Sequence, residues 1–202
     1  MPERLLKLAL TGEFQDGKST LINALCGVRC ADTGYGLPTT DEVQEYRIPR
    51  TNILLLDTPG FNSTREGDSE RARKGLEMAD VCMYMLSNKQ FTGEMFRELK
   101  EALKLPHGGY KLFIPIINDR DRNNDNICSE SVAVMKSVGL RPILFGEEMP
   151  VIHARAWEKG KGKRTDYALG EKRIKFLLGV EPYREVSPLE HIYKLQRLIH
   201  SE

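Results

Sequence analysis

The segment Gly12-Glu13-Phe14-Gln15-Asp16-Gly17-Lys18-Ser19 has the spacing G-x-x-x-x-G-K-S. Its glycines let backbone N–H groups turn toward a polyphosphate. A helix starting after Gly17 adds the partial positive charge of its N-terminus. Lys18 then reaches the β- and γ-phosphates, and the Ser19 hydroxyl ligates Mg²⁺. The motif needs a strand before it and a helix after it, and the sequence supplies both. Gly12, Glu13, Gln15, Asp16, Gly17, Lys18, Ser19 and Thr20 are therefore the candidate phosphate-binding residues.

Four further loops carry matching chemistry. Asp57-Thr58-Pro59-Gly60 closes an apolar run 39 residues after Lys18, where a carboxylate can enter the metal shell and the Gly60 N–H can sense the γ-phosphate. Asp-x-Pro-Gly is also a plain turn, so it gains its meaning from the loop upstream. Thr39 and Thr40 lie between these two loops, and a hydroxyl there can close over the γ-phosphate and complete the metal shell. Asn118-Asp119-Arg120-Asp121 ends a later apolar run, with an Asn three positions before a carboxylate that can accept two hydrogen bonds from guanine. Adenine cannot offer that pair of donors. His153-Ala154-Arg155 ends the last run, where a backbone N–H can approach the guanine O6.

These loops need a frame. Apolar runs at Leu5–Leu10, Ile53–Leu56, Val81–Leu86, Leu112–Ile117 and Pro150–Ala154 show little alternation, as expected of strands buried on both faces of a mainly parallel sheet. Gln44–Ile48 alternates more and reads as a strand at or near an edge. Helical segments are expected at Lys18–Cys26, Ser69–Ala79, Thr92–Leu105, Ser129–Val138 and Pro188–Ile199. Alternating strands and helices imply right-handed crossovers and a three-layer α/β fold, with ligands bound beyond the carboxyl ends of the strands. One domain is expected over 1–202, with a C-terminal helix near 188–200. The stretch 155–175 holds eight Lys or Arg against three acids and reads as a basic, solvated loop, with docking to an acidic partner or lipid headgroup as the alternative.

Composition sets outer limits. The 202 residues carry 30 Lys and Arg against 29 Asp and Glu, a net charge of +1, so no global field points to DNA or to an anionic membrane. No apolar stretch approaches the length of a membrane-spanning helix. Cys26, Cys30, Cys82 and Cys128 form no C-x-x-C pair and read as reduced thiols in a cytosolic protein. The chain starts at its first strand and stops just past a helix, which suggests an excised domain.

The ordered set of loops resembles the five-motif G domain of the translation-factor-related GTPases, most of all the Era-like branch and its dynamin-like and immunity-related relatives. The tract GKSTLINAL at Gly17–Leu25 is similar to the Era-like form of that helix, and Thr40, 22 residues after Lys18, stands at the Era-like offset. The likeness spans about Leu5 to Arg155. It implies a Ras-like P-loop G domain: a mainly parallel six-stranded sheet with one antiparallel strand and helices on both faces. It also implies GTP and GDP as ligands, Mg²⁺ as cofactor, Ser19, Thr40 and Asp57 at the metal, and hydrolysis to GDP.

Three motifs depart from the family pattern, and Gln15 in the phosphate loop adds a hint. Asp119 stands where the guanine motif usually carries a lysine, with Arg120 as a substitute stacking plane. His153-Ala154-Arg155 replaces Ser-Ala-Lys, so only the backbone role carries over. Phe61 follows Asp57-Thr58-Pro59-Gly60, where Ras-like enzymes place a water-orienting Gln. Gln15 sits where potassium-stimulated relatives carry an Asn, and its amide oxygen could ligate K⁺ or Na⁺ beside the phosphates; solvent exposure with no catalytic part is its alternative. Phe14 should obstruct an arginine finger, and Asp16 should point outward or meet a cation. Lys18, Thr40, Gly60 and Gln15 are thus the candidate catalytic residues of a GTPase that turns over slowly without a protein effector, a second copy paired across the nucleotide, or a monovalent cation. The rival reading is an interaction module that binds GTP and GDP with negligible hydrolysis. An ATPase or small-molecule kinase is a further rival, against which Asn118 and Asp121 argue.

Overall fold

The computed structural model describes residues 5–13, 15–31, 43–60, 67–87, 92–106, 108–119, 127–160, 165–180 and 187–199. Six strands form one sheet: β1 (Leu6–Gly12), β2 (Gln44–Arg47), β3 (Ile53–Asp57), β4 (Val81–Leu86), β5 (Leu112–Asn118) and β6 (Val151–Ile152), in the order β2-β3-β1-β4-β5-β6. All neighbours are parallel except β2, which runs antiparallel to β3. β2 is mostly exposed, as its alternating composition requires of an edge. The expected mainly parallel sheet with one antiparallel strand is the one observed.

Strand periodicity sends alternate side chains to two cores. Leu8, Leu10, Leu55, Met83 and Ile114 point to one face, where α1 (Lys18–Cys26), α5 (Ala154–Glu158), α6 (Thr165–Leu178) and α7 (Pro188–Ile199) cover them. Ala9, Leu56, Cys82, Tyr84 and Phe113 point to the other, under α2 (Asp68–Met78), α3 (Gly93–Ala102) and α4 (Ile127–Ser137). Each fully buried Leu or Ile contributes roughly 1.5–3 kcal/mol, which is why strands with little polar content are stable only between two helical layers. Helices are placed by their caps as well as their stripes: Thr92 accepts the Met95 N–H at the start of α3, and Gly27 ends α1 in the left-handed region at φ 71°.

Two expectations are corrected. The strand expected at 150–154 contracts to Val151–Ile152, because Ala154 already begins α5. The basic stretch 155–175 is largely helical rather than a loop, within its described residues. Its charges mask an apolar stripe: Trp157, Tyr167 and Ile174 are buried, and the stripe continues past it into Leu177 and Leu178. The cations lie along the outside of this stripe, with Lys175 over the Trp157 ring at 5.3 Å and Arg173 paired with Glu148 at 2.9 Å. Charged helices of this kind bury their apolar side and let the long cationic stems run over aromatic surface.

Candidate functional site

β1, β3 and β5 all end at one edge of the sheet, and the loops that follow them converge there. β1 delivers the phosphate-binding loop. Gly12 has φ 150°, and a Cβ on it would lie 2.5 Å from the Met85 carbonyl oxygen on β4, so the chain leaves the sheet at a point where only glycine fits. Gly17 then caps α1 at φ 93° and Gln15 lies at φ 66°, so two left-handed residues turn the loop around the start of the helix. The loop holds itself closed. Asp16 accepts the Glu13 N–H at 2.7 Å, and Lys18 folds back to donate to the Glu13 carbonyl at 2.8 Å. Asp16 is turned inward rather than outward, buried, with Lys18 as its nearby cation; desolvation raises its carboxyl above the ordinary value. The Glu13 N–H and the Ser87 side chain both hydrogen-bond this carboxylate and hold it inward. Gln15 is exposed, Thr20 is half-buried on the first turn of α1, and Phe14 lies outside the described residues.

β3 brings Asp57 beside this loop. The Ser19 hydroxyl donates to Asp57 Oδ2 at 3.2 Å, while Asp57 Oδ1 is buried and makes no hydrogen bond. Burial pushes the Asp57 carboxyl up to about 6, against the opposing pull of Lys18 and Ser19. An acidic oxygen with no donor, a hydroxyl next to it and a lysine nearby fit a hard cation that takes most of its ligands from phosphate and water. Mg²⁺ is such a cation, and Ser19 and Asp57 are the described residues that would hold it. Among the described residues there is no cluster of three or more His, Cys, Asp or Glu that forms a closed metal site. Thr58 anchors the next turn by donating to the Leu10 carbonyl at 3.1 Å, and α2 closes on it so tightly that a Cβ on Gly75 would lie 2.4 Å from Thr58 Cγ2. Gly60 is buried at the end of this turn. Thr39, Thr40 and Phe61 lie outside the described residues.

β5 ends in Asn118, which joins the other loops. Its Nδ2 donates to the Asp16 carbonyl at 2.6 Å, and its Oδ1 accepts the Ala154 N–H at 3.0 Å. One buried amide thus links the phosphate loop to the loop after β6. His153 caps α5 through Nδ1, which accepts the Ala156 N–H at 3.1 Å, and Arg155 is exposed. Asp119 is buried, and its Oδ2 accepts from the Tyr167 hydroxyl at 2.7 Å. Arg120 and Asp121 lie outside the described residues.

Two residues that hold the elements around the site were missed from the sequence. Asn23 in the middle of α1 accepts the Cys30 and Ala31 N–H groups at 2.9 and 2.7 Å and donates to Ala31 O and Glu158 Oε1. It fixes the chain leaving α1 and ties it to α5. A buried Asn between Ile22 and Leu25 was the available signal, since Asn is a poor helix-interior residue unless its amide is used. Tyr167 gave no such signal, because its partner is 48 residues away.

The fold and these loops define a Ras-like P-loop G domain. The described chain from β1 to the end of β5 matches the model of the 50S ribosome-binding GTPases over residues 7–118, more than half the chain, and the protein belongs to that family. It is 30% identical over 105 residues to interferon-gamma-inducible GTPase 10 of Mus musculus, covering 49% of this chain and 25% of that protein. It is 26% identical over 196 residues to GTPase Der of Leptospira interrogans (serovar Copenhageni), covering 91% of this chain and 37% of that protein. The chain thus spans only about a quarter to two fifths of these curated relatives. The fold is similar to crystal structures of Era. One is in complex with MgGDPNP and a segment of 16S ribosomal RNA, with TM-score 0.54, 24% identity and 85% of this chain on 56% of that one. Another is an Aquifex aeolicus Era variant bound to GDP and AlF4⁻, with TM-score 0.53 and 24% identity, covering 86% of this chain and 57% of that one.

Proposed function

We propose that this domain binds GTP and GDP and hydrolyses GTP to GDP and phosphate with Mg²⁺, acting in the cytosol as a nucleotide-dependent switch or assembly GTPase. The observation that carries this reading is the convergence at one sheet edge of the Gly17-capped loop, the Ser19–Asp57 pair and the Asn118 bridge. Family membership supports it at the level of GTP chemistry. Lys18 is 8% exposed and donates to the Glu13 carbonyl of its own loop, with the Asp16 and Asp57 carboxylates near, so its ammonium stands at the loop where phosphate oxygens would take that carbonyl's place. The P-loop amides would then stabilise charge spread over the γ-phosphoryl oxygens in the transition state. Mg²⁺, when bound, would neutralise charge on the β- and γ-phosphates. Thr40 would close over the γ-phosphate, Gly60 would sense it, and Asp121 would read guanine.

No water-orienting side chain follows Gly60 in the sequence, where Phe61 stands. That favours a slow basal rate and makes the second reading, a GTP-binding module with negligible hydrolysis, a specific alternative. Gln15 is exposed at the phosphate loop, where its amide could meet K⁺ or Na⁺. Single-turnover hydrolysis of GTP in K⁺, in Na⁺ and in neither separates the readings. Phosphate release that stops in Lys18→Ala supports the enzyme. A bound GTP that stays intact under all three conditions supports the module. Pairing of two copies across the nucleotide would appear as a doubled mass with a GTP analogue and not with GDP.

A further inference from the structure

Asp119 is a buried carboxylate between Asn118 and Asp121, in the loop assigned to base reading. A buried carboxylate is costly unless strong donors meet it. Here the Tyr167 hydroxyl donates to Oδ2 at 2.7 Å, a charge-assisted bond from α6. The same ring packs against His153, with centroids 5.9 Å apart and an interplanar angle of 59°. One side chain thus touches the loop after β5 and the loop after β6. The two loops are also joined through backbone, since Asp119 N–H donates to the Ile152 carbonyl at 2.8 Å.

The placement of Tyr167 depends on a close approach. A Cβ on Gly170 would stand 1.9 Å from the Val151 carbonyl oxygen, so α6 rests directly on the backbone of β6. Gly170 lies within one turn of Tyr167 on the same helix. Any side chain at 170 would lift this turn and withdraw the hydroxyl from Asp119.

We propose that Tyr167 is a positioning residue for base recognition: its hydroxyl holds Asp119 and its ring holds His153, so that the two loops framing the base keep one relative geometry. This rests on the reading of that sheet edge as a guanine-nucleotide site. The consequence is specific to the base. Phosphate affinity would come from the loop around Gly17 and Lys18, whereas Tyr167 contacts Asp119 and His153.

The test is competition binding of GDP, IDP and ADP against a fluorescent GDP, on the full chain. IDP lacks the exocyclic amine of guanine, so the GDP-to-IDP ratio reports alignment of the base acceptor, and the GTP-to-GDP ratio reports the phosphate loop. Tyr167→Phe keeps the ring and removes the hydroxyl. It should lower the GDP-to-IDP preference about tenfold, the size of one lost charge-assisted bond, with the GTP-to-GDP ratio unchanged. Asp119→Ala should match Tyr167→Phe, and the double variant should be no worse than either. A Tyr167→Phe protein that melts earlier but keeps the wild-type GDP-to-IDP ratio overturns the inference, since Tyr167 is then only structural. A wild type that binds ADP as tightly as GDP overturns the guanine reading itself, and this inference with it.

Discussion

Asn118→Ala should strip two buried hydrogen bonds from the centre of the site. The donor to the Asp16 carbonyl, at 2.6 Å, is lost, and so is the acceptor for the Ala154 N–H, at 3.0 Å. Asn118 is 4% exposed, so little water can replace it. One carbonyl and one N–H are left buried without these partners. Each such orphan costs about 1–3 kcal/mol, so the variant should lose about 2–6 kcal/mol against a typical domain stability of about 5–15 kcal/mol. Urea unfolding of the nucleotide-free protein measures this as a lower midpoint at unchanged slope. Asn118→Asp is the sharper control. It is nearly the same shape and still offers an oxygen to Ala154, but it sets a carboxylate oxygen against the Asp16 carbonyl. It should be no more stable than Asn118→Ala at pH 7. A loss below about 0.5 kcal/mol for Asn118→Ala, or an Asn118→Asp protein as stable as the wild type, would refute the claim that this amide ties the phosphate loop to the loop after β6.

Lys18→Ala should weaken GTP and GDP binding by 2 kcal/mol or more, roughly thirtyfold in Kd, read by calorimetry. Asp57→Asn should abolish Mg²⁺-dependent hydrolysis yet stabilise the nucleotide-free protein at pH 7.5. Burial raises the Asp57 carboxyl to about 6 from its ordinary 3.8, so the folded state holds this proton more tightly than the unfolded chain. Stability from this group is therefore fully present below about pH 4 and is lost as pH rises through 6; thermal melts should show the variant's gain as about 3 kcal/mol at pH 7.5 and about half that at pH 5. Thr40→Ala should slow single-turnover hydrolysis while sparing GDP affinity, whereas an equal loss of GDP and GTP binding contradicts a role in closing over the γ-phosphate. Asp121→Asn should switch preference from GTP to XTP, and Asp119→Asn should not; the reverse result would move the base acceptor by two positions.

The strands and the phosphate loop were legible because their signals are local. The tract from Gly12 to Ser19 carries its own glycines, lysine and hydroxyl, and β1, β3, β4 and β5 are short apolar runs with polar ends. Asp57 and Asn118 could be placed because each directly ends such a run. The basic stretch was misread because Lys159, Lys172, Arg173 and Lys175 dominate its composition, while the buried stripe through Tyr167, Ile174 and Leu178 is sparse. The Tyr167–Asp119 bond and the Asn23 network were not legible, since both depend on which helix packs over which loop. For Asp16 the sequence left an outward position and a nearby cation both open; the residue is buried with Lys18 near it, and the Glu13 N–H it accepts is what the sequence did not show.

The proposed function requires that the loops at the carboxyl ends of the strands bind guanine nucleotides in preference to adenine nucleotides. Calorimetric titration of the nucleotide-free protein with GDP and with ADP, in Mg²⁺, tests it most directly. The expected result is one GDP site per chain, with ADP at least about a hundredfold weaker, because a site built to pair specific donors rejects a base that lacks them. Equal affinities for GDP and ADP, or no binding of GDP by a folded protein, would contradict it.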